Sequence, residues 1–140
     1  TFNLEEELME VLDGYKEEFE RISPEIEEYL EYKAEDAEVL VIAHGIVARS
    51  AMTAIDELRV KGIKAGLFRP ITLWPFPQKE LEKACENAKK ILTVEMSMGQ
   101  MVQDIKLYSG HKVSDVDFYG EPGGIIPSVD VIVEKVKSYV

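Results

Sequence analysis

The hydrophobic positions of the first 22 residues predict an amphipathic helix with an acidic outer surface. Apolar residues recur every three or four positions, at Leu4, Leu8, Leu12, Tyr15, Phe19 and Ile22. This spacing places them along one side of a helix whose other positions are mostly glutamate. Asn3 and Glu6 resemble a capping box at its start. Ser23 and Pro24 predict its end, because proline disfavours helical geometry in the residue before it.

From residue 24 onward, segments with the period of a strand alternate with helical stripes. Strands are predicted at 26–33, 38–43, 63–68, 90–95 and 113–120. Four helices are predicted between and after these strands, each with one buried side. The first two are predicted to bury Val47, Ala51, Ala54, Ile55 and Leu58, and Leu81, Ala84, Cys85 and Ala88. The last two, at 99–109 and 128–139, are predicted to bury Met101, Val102, Ile105 and Tyr108, and Val129, Ile132, Val133, Val136 and Tyr139. Gly62 suits a helix end and Pro77 a helix start. The alternation predicts a mostly parallel sheet covered by helices on both faces, with right-handed crossovers.

Composition narrows the class of protein. With 140 residues, 46% of them hydrophobic, the chain is long enough for one domain with its own core. No stretch approaches the ~18 apolar residues of a membrane span, and the start does not resemble a signal peptide. It also lacks an initiator methionine, which indicates a fragment. A single cysteine, Cys85, argues against an internal disulfide or a cysteine-held metal or iron–sulfur site, and the cytoplasm is the expected location.

The net charge of −11 argues against a nucleic-acid partner, whose phosphates would be repelled. Residues 1–38 contain 15 of the 27 acidic side chains and 3 of the 16 basic ones, so the rest of the chain is nearly neutral. The acidic segment is either a solvated face that keeps the protein in solution or a docking surface for a basic partner.

Ligands of a parallel sheet bind beyond the carboxyl ends of its strands, so the loops there are the candidate sites. The first loop has only Gly45 where a dinucleotide fold needs G-x-G-x-x-G, and the chain has no P-loop motif. His44, at the predicted start of a helix, either contacts a ligand or a neighbouring subunit or bonds its own backbone. No serine, cysteine or carboxylate lies near it in the sequence to complete a triad.

The loop after the third parallel strand begins with Glu95. This residue is interpreted as a general base, as a hydrogen-bond partner for a facing domain, or as a cap for the next helix. Three methionines in and after the loop form either an adaptable contact surface or plain core: Met96, Met98 and Met101.

The other two loops are suited to contact. Trp74, the only tryptophan, lies beside Phe76 among prolines, which favours an interface anchor over packing under the sheet edge. Gly123 and Gly124 allow either a close approach of the backbone to another surface or turns with positive φ. Cys85 is expected to be inert core.

Three of these loops, in their order, carry a family resemblance: RPITLWPFP at 69–77, EMSMGQMVQDIK at 95–106 and DFYGEPGGIIP at 117–127. The chain thereby resembles the C-terminal domain, domain II, of the α subunit of 2-oxoacid:ferredoxin oxidoreductases, most of all the 2-oxoisovalerate and 2-oxoglutarate types. The resemblance covers residues 24–140. Residues 1–23 are then expected to be an acidic connector helix from a preceding domain.

The resemblance implies a transketolase C-terminal-like fold, a three-layer α/β/α sandwich on a five-stranded, mostly parallel sheet whose first strand is antiparallel. Enzymes of this family decarboxylate a 2-oxoacid on thiamine diphosphate with Mg²⁺, transfer the acyl group to coenzyme A and pass electrons through iron–sulfur clusters to ferredoxin. In the family these cofactors lie outside this domain. The resemblance therefore implies no catalytic, cofactor-binding or metal-binding residue in this chain, which alone is expected to be inactive.

What the resemblance implies instead is a structural domain that contacts other domains and subunits, with no nucleic-acid or membrane partner. The expected interface residues are Trp74, Phe76, His44, Glu95, Met98, Gly99, Gln100, Gly123 and Gly124. Two alternatives are a stand-alone hydrolase or transferase using His44 and Glu95, and a regulatory domain that binds an anionic metabolite at the strand-edge loops. We also predict that the helix at 4–22 pairs with a second copy, which would give a homo-oligomer.

Overall fold

The structure, a computed structural model, describes residues 4–109 and 112–140. Its helices and strands follow one another in the order α1 (Glu5–Ile26), β1 (Tyr29–Tyr32), β2 (Val39–Ile42), α2 (Val47–Val60), β3 (Ala65–Pro70), α3 (Gln78–Ala84), β4 (Lys90–Glu95), α4 (Met101–Tyr108), β5 (Val116–Gly120) and α5 (Val129–Lys137). Within the described residues, no helix is both long enough and apolar enough to cross a membrane.

The five strands form one sheet in the order β1-β3-β2-β4-β5. Strand β1 pairs antiparallel with β3, and the other pairs are parallel. All four residues of the central strand β2 are buried, as expected for a strand covered on both faces. The predicted fold class, including the antiparallel first strand, is confirmed.

The core lies in two layers, one on each face of the sheet. On one face, α2 and α5 pack on β2, β3 and β4 through side chains that include Ile55, Leu67 and Ile132. On the other, α3 and α4 pack through Leu81 and Ile105 against the opposite faces of the same strands. Each fully buried side chain of this size contributes roughly 1.5–3 kcal/mol to folding, so both layers are substantial.

The predicted end of the first helix is wrong. Helix α1 continues through Ser23 and Pro24 to Ile26, and β1 begins only at Tyr29. Proline lies here in the last turn, where it removes one hydrogen bond from a helix that is about to end. The turn is completed by the Ser23 hydroxyl, which donates to the Phe19 carbonyl at 2.6 Å, and by the Glu27 N–H, which donates to the Ser23 carbonyl at 2.9 Å.

Two further expectations concern the ends of α1. The expected boundary between the connector helix and the domain, between residues 23 and 24, falls inside α1. Asn3 of the expected capping box lies outside the described residues. The residue preceding the helix is Leu4, whose side chain makes no capping hydrogen bond.

The apolar stripe of α1 is exposed along most of its length. Leu4, Leu8, Leu12 and Tyr15 are all exposed, whereas Phe19 and Ile22 near the other end are partly buried. Phe19 stacks on the ring of Trp74, with 5.3 Å between ring centroids. The first half of the stripe therefore covers nothing on its own domain.

Strand β3 lies two residues later than predicted because of its partner. Its pairing with β1 extends as far as Tyr29 opposite Pro70, so the chain stays extended where sequence patterns indicate a loop. Gly66 permits the close approach of the segment after β1. A Cβ at this position would lie 2.5 Å from the Lys33 carbonyl and 2.8 Å from the Ala34 Cα.

Candidate functional site

Four loops lie side by side at one edge of the sheet, because β3, β2, β4 and β5 are adjacent and parallel. They follow the carboxyl ends of these strands, where ligands and partners of such sheets usually bind. The loops share a set of exposed apolar side chains, between 42% and 82% exposed, which we call the edge rim: Ile46, Ile71, Leu73, Trp74, Met98, Ile125 and Ile126. Apolar side chains grouped at one edge are typical of an interaction surface.

Glu95, at the end of β4, is the most buried carboxyl group of this edge. Its side chain accepts hydrogen bonds from the Met101 N–H at 3.0 Å and the Ser97 hydroxyl at 2.9 Å, with a longer one from the Val102 N–H at 3.5 Å. Met101 and Val102 begin α4, where a negative charge is favourable because the first N–H groups have no helical partner. Among the interpretations of Glu95, the geometry supports the helix cap.

This capped turn also depends on residues that the sequence patterns did not single out. Gly120, at the end of β5, leaves room for the Ser97 carbonyl and the Phe118 ring. A Cβ there would lie 2.4 Å from the Ser97 oxygen and 2.3 Å from Phe118 Cζ. The contact joins two loops that are distant in sequence, so no local pattern indicates it.

The two aromatic residues expected at an interface differ in exposure. Trp74 is 73% exposed and belongs to the edge rim. Phe76 is only 6% exposed and stacks on Tyr108 of α4, with 5.1 Å between ring centroids. Phe76, like the buried Glu95, therefore supports the edge from beneath and offers little surface to a partner.

The loop after β4 presents one strongly exposed side chain. Met98 is 82% exposed, whereas Met101 is buried and Met96 packs on the core. Met98 is therefore available for contact, and the other two methionines belong to the core. The side-chain amide oxygen Oε1 of Gln100 accepts a hydrogen bond from the Met98 N–H at 3.1 Å, which holds the loop in shape. Gly99 has a φ of +100°, a conformation that L side chains rarely adopt.

Gly123 and Gly124 lie in an exposed turn after β5, with φ values of +95° and +85°. A Cβ at either position would meet nothing within 4 Å. Within this chain their role is to form the turn that presents Ile125 and Ile126.

His44 lies between β2 and α2 and is partly buried. Within the described part of the chain, no hydrogen bond involves its ring, so bonding to its own backbone is not supported. The structure places it at the same sheet edge as Glu95, whose oxygens are already used by the α4 cap.

A separate groove of about 700 Å³ lies between the end of α1 and the segment from Trp74 to α3. We call it the aromatic groove; its walls include the rings of Phe19, Tyr29, Trp74, Phe76 and Tyr108 and the carboxylates of Glu20, Glu27, Glu80 and Glu82. Neither His44 nor Gly99 lines it, so this cavity does not join the two loops that a metabolite site would need.

Metal ligands are not grouped in the described residues: within 4–109 and 112–140, no cluster of three or more His, Cys, Asp or Glu side chains could hold a metal ion. Cys85 is 1% exposed in the layer beneath α3 and α4. Its burial raises the pKa of the thiol to about 11, so the reactive thiolate is scarce at neutral pH. The expectation of inert core fits this environment.

Known proteins resemble this chain over most of its length. The family described as "Pyruvate:ferredoxin oxidoreductase core domain II" matches residues 37–132. Ketoisovalerate oxidoreductase subunit VorB of Methanothermobacter thermautotrophicus is 36% identical over 132 residues, which are 94% of this chain and 37% of that protein. VorB of Methanothermobacter marburgensis is 43% identical over 109 residues, 78% of this chain and 30% of that protein. 2-Oxoglutarate synthase subunit KorA of the same organism is 37% identical over 103 residues, 73% of this chain and 27% of that protein.

Solved structures share the fold. The 2-oxoglutarate:ferredoxin oxidoreductase from Magnetococcus marinus, solved with 2-oxoglutarate, coenzyme A and succinyl-CoA bound, superposes with a TM-score of 0.73 at 23% identity, over 84% of this chain and 21% of that one. A split-gene transketolase, an inactive β4 tetramer, gives a TM-score of 0.60 at 20% identity, over 74% of this chain and 38% of that one. The chain spans about a third of the length of the curated relatives it matches.

Proposed function

Since this chain belongs to the pyruvate:ferredoxin oxidoreductase core domain II family, we propose that it acts as a structural and subunit-interface domain of a 2-oxoacid:ferredoxin oxidoreductase. The whole enzyme would oxidatively decarboxylate a 2-oxoacid to an acyl-CoA and reduce ferredoxin. The relatives named for ketoisovalerate and 2-oxoglutarate support a substrate of one of these two types. We place the enzyme in the cytoplasm.

The residues of this chain do not fit the redox cofactor of such an enzyme. An iron–sulfur cluster needs about four thiolate ligands, and this chain has one cysteine, which is buried and has a raised thiol pKa. We therefore assign the clusters to other parts of the enzyme. From the family resemblance we propose the same for thiamine diphosphate and Mg²⁺, and we derive no catalytic step here. Under this proposal the isolated chain is inactive.

The edge rim carries the proposal of an interface role. Trp74, Met98 and Ile125 lie on loops after three different strands, and each is at least 60% exposed. Holding these side chains in water costs free energy that a contacting subunit would recover. The positive φ values of Gly99, Gly123 and Gly124 allow the tight turns beside Met98 and Ile125.

The proposed organisation keeps residues 24–140 as the domain and residues 1–23 as a connector to the rest of the subunit. Ser23 is the first buried residue of the described chain, which supports a boundary near this position even though α1 continues past it.

A binding experiment with matched variants tests the interface. The remaining polypeptides of the ketoisovalerate-type enzyme would be immobilised, and binding of this chain measured by surface plasmon resonance. We expect Met98→Ala and Ile125→Ala each to weaken binding about five- to tenfold, the range for an interface side chain worth about 1 kcal/mol or more. The control is Val60→Ala, which removes an 89% exposed side chain from the C-terminal end of α2. Wild-type affinity in both rim variants would disprove the interface role of the rim.

A further inference from the structure

The aromatic groove has the chemistry of a site for a positively charged side chain. Aromatic faces carry negative charge density and attract ammonium and guanidinium groups. Trp74 and Tyr29 expose ring surface at the groove, and four glutamates and one lysine, Lys79, are among its lining residues. The groove therefore combines apolar surface with net negative charge, which favours arginine or lysine over neutral and acidic side chains.

One carboxylate of the groove lacks a hydrogen-bond donor. Glu80, in the first turn of α3, has its Oε2 atom buried, and no residue of the described chain donates to it. A buried carboxylate oxygen without a donor is unfavourable, because it has lost water and gained nothing in exchange. A cation bound in the groove would attract the Glu80 carboxylate at short range.

The groove continues into the exposed stripe of α1. Leu12, Tyr15 and Phe19 occupy one side of the helix, and Phe19 is itself part of the groove wall. A chain lying along α1 would cover the stripe and reach the groove at the same time. Such a partner needs apolar side chains for the stripe and basic side chains for the groove and the glutamates beside it.

We propose that α1 and the aromatic groove form a docking surface for a basic segment of a neighbouring polypeptide, with apolar side chains on the α1 stripe and an arginine or lysine in the groove. This surface lies on the α1 and α3 side of the domain and shares only Trp74 with the edge rim, so it extends the proposed function to a second contact. Docking at α1 and the aromatic groove does not depend on the edge rim being an interface.

The pairing of the helix at 4–22 with a second copy stays a prediction, and charge disfavours it. Helix α1 has nine acidic and two basic residues, so two copies of it repel each other. Salt screens such repulsion but weakens attraction to a basic partner. The two occupants therefore predict opposite responses to salt: self-pairing strengthens as salt is added, whereas binding of a basic segment weakens.

Trp74 provides a direct test, because it is the only tryptophan and lies in the groove wall. The probe is an acetylated, amidated pentapeptide with two arginines separated by glycine, titrated at low salt while Trp74 fluorescence is recorded. The control peptide replaces arginine by citrulline, which has nearly the same shape and no charge. We expect a saturable change with the arginine peptide that is at least five times weaker with citrulline and decreases in 0.5 M salt.

Two charge-matched variants locate the binding. Glu80→Gln removes one negative charge from the groove, and Glu57→Gln removes one from the exposed face of α2. We expect the apparent Kd to rise at least threefold in the first variant and to stay within 1.5-fold of wild type in the second. The proposal is overturned if the arginine and citrulline peptides bind with the same affinity. It is equally overturned if Glu80→Gln and Glu57→Gln bind the arginine peptide with the same affinity. It is also overturned if Trp74 fluorescence responds only to the concentration of the protein itself, which would assign the surface to a second copy.

Discussion

Replacement of Glu95 by alanine tests how the edge of the sheet is held in shape. The carboxylate is 1% exposed and accepts from the Met101 N–H, the Ser97 hydroxyl and, over a longer distance, the Val102 N–H. Without it, the first turn of α4 has buried N–H groups and no acceptor for them. The loop between β4 and α4 would also lose the link that positions Ser97.

The expected destabilisation of Glu95→Ala is about 2–4 kcal/mol. Loss of an N-cap acceptor costs about 0.5–2 kcal/mol, and a buried N–H left without a partner costs about 1–3 kcal/mol. These two costs overlap, and the Val102 bond at 3.5 Å adds little to them. Glu95→Gln keeps the size and one oxygen but loses the charge next to the helix N-terminus, so we expect about 1–2 kcal/mol.

Urea unfolding followed by circular dichroism measures these differences, since the midpoint shifts at constant m-value when only stability changes. The control is Glu57→Gln, an exposed substitution expected to stay within about 0.5 kcal/mol of wild type. If Glu95→Ala were as stable as this control, the cap would be irrelevant to folding. If Gln were as harmful as Ala, the charge and not the hydrogen-bond acceptor would dominate.

Three further predictions use other contacts of the fold. Gly66→Ala should destabilise the protein by about 1–3 kcal/mol in the same urea assay, because its Cβ would lie 2.5 Å from a backbone oxygen. Its control is Gly14→Ala, which should stabilise the protein slightly, because a Cβ there meets nothing within 4 Å in an exposed helix. Tyr139→Phe should cost about 1 kcal/mol at pH 7, since the Tyr139 hydroxyl donates to Asp117 at 2.6 Å. That hydrogen bond lowers the pKa of Asp117, so its contribution is present above about pH 4 and is lost as pH falls further; a cost that persists unchanged at pH 2.5 would contradict this. Cys85 should react with a thiol reagent at pH 8 only after unfolding, and rapid labelling of the native protein would show that the thiol is accessible.

The fold was predictable from local patterns because they recur along the whole chain. Strand β4 was predicted with its observed ends, and the stripe of α2 from Val47 to Leu58 is buried as expected. The period of the apolar residues reports the local geometry, and local geometry repeated in a βα order permits few architectures. The antiparallel direction of β1 came from family resemblance, since its four residues, YLEY, are too few to indicate the direction of the strand.

The structure differs from the sequence-based predictions where contacts between distant residues determine the local structure. The helix did not end at Pro24, because hydrogen bonds from Ser23 and Glu27 complete a last turn that tolerates proline. No local pattern indicates Ser97 and Gly120, because their importance comes from their contact across two loops.

By itself, the sequence determined the order of helices and strands, the acidic first helix, the single inert cysteine and the loops on which a site would form. The tertiary structure decided which residues of those loops reach the surface: Trp74 and Met98 are exposed, whereas Phe76 and Glu95 are buried. It also brought the end of α1 beside Trp74 to form the aromatic groove. Exposure and pairing depend on neighbours supplied by other parts of the chain, and the period of a single segment contains no information about them.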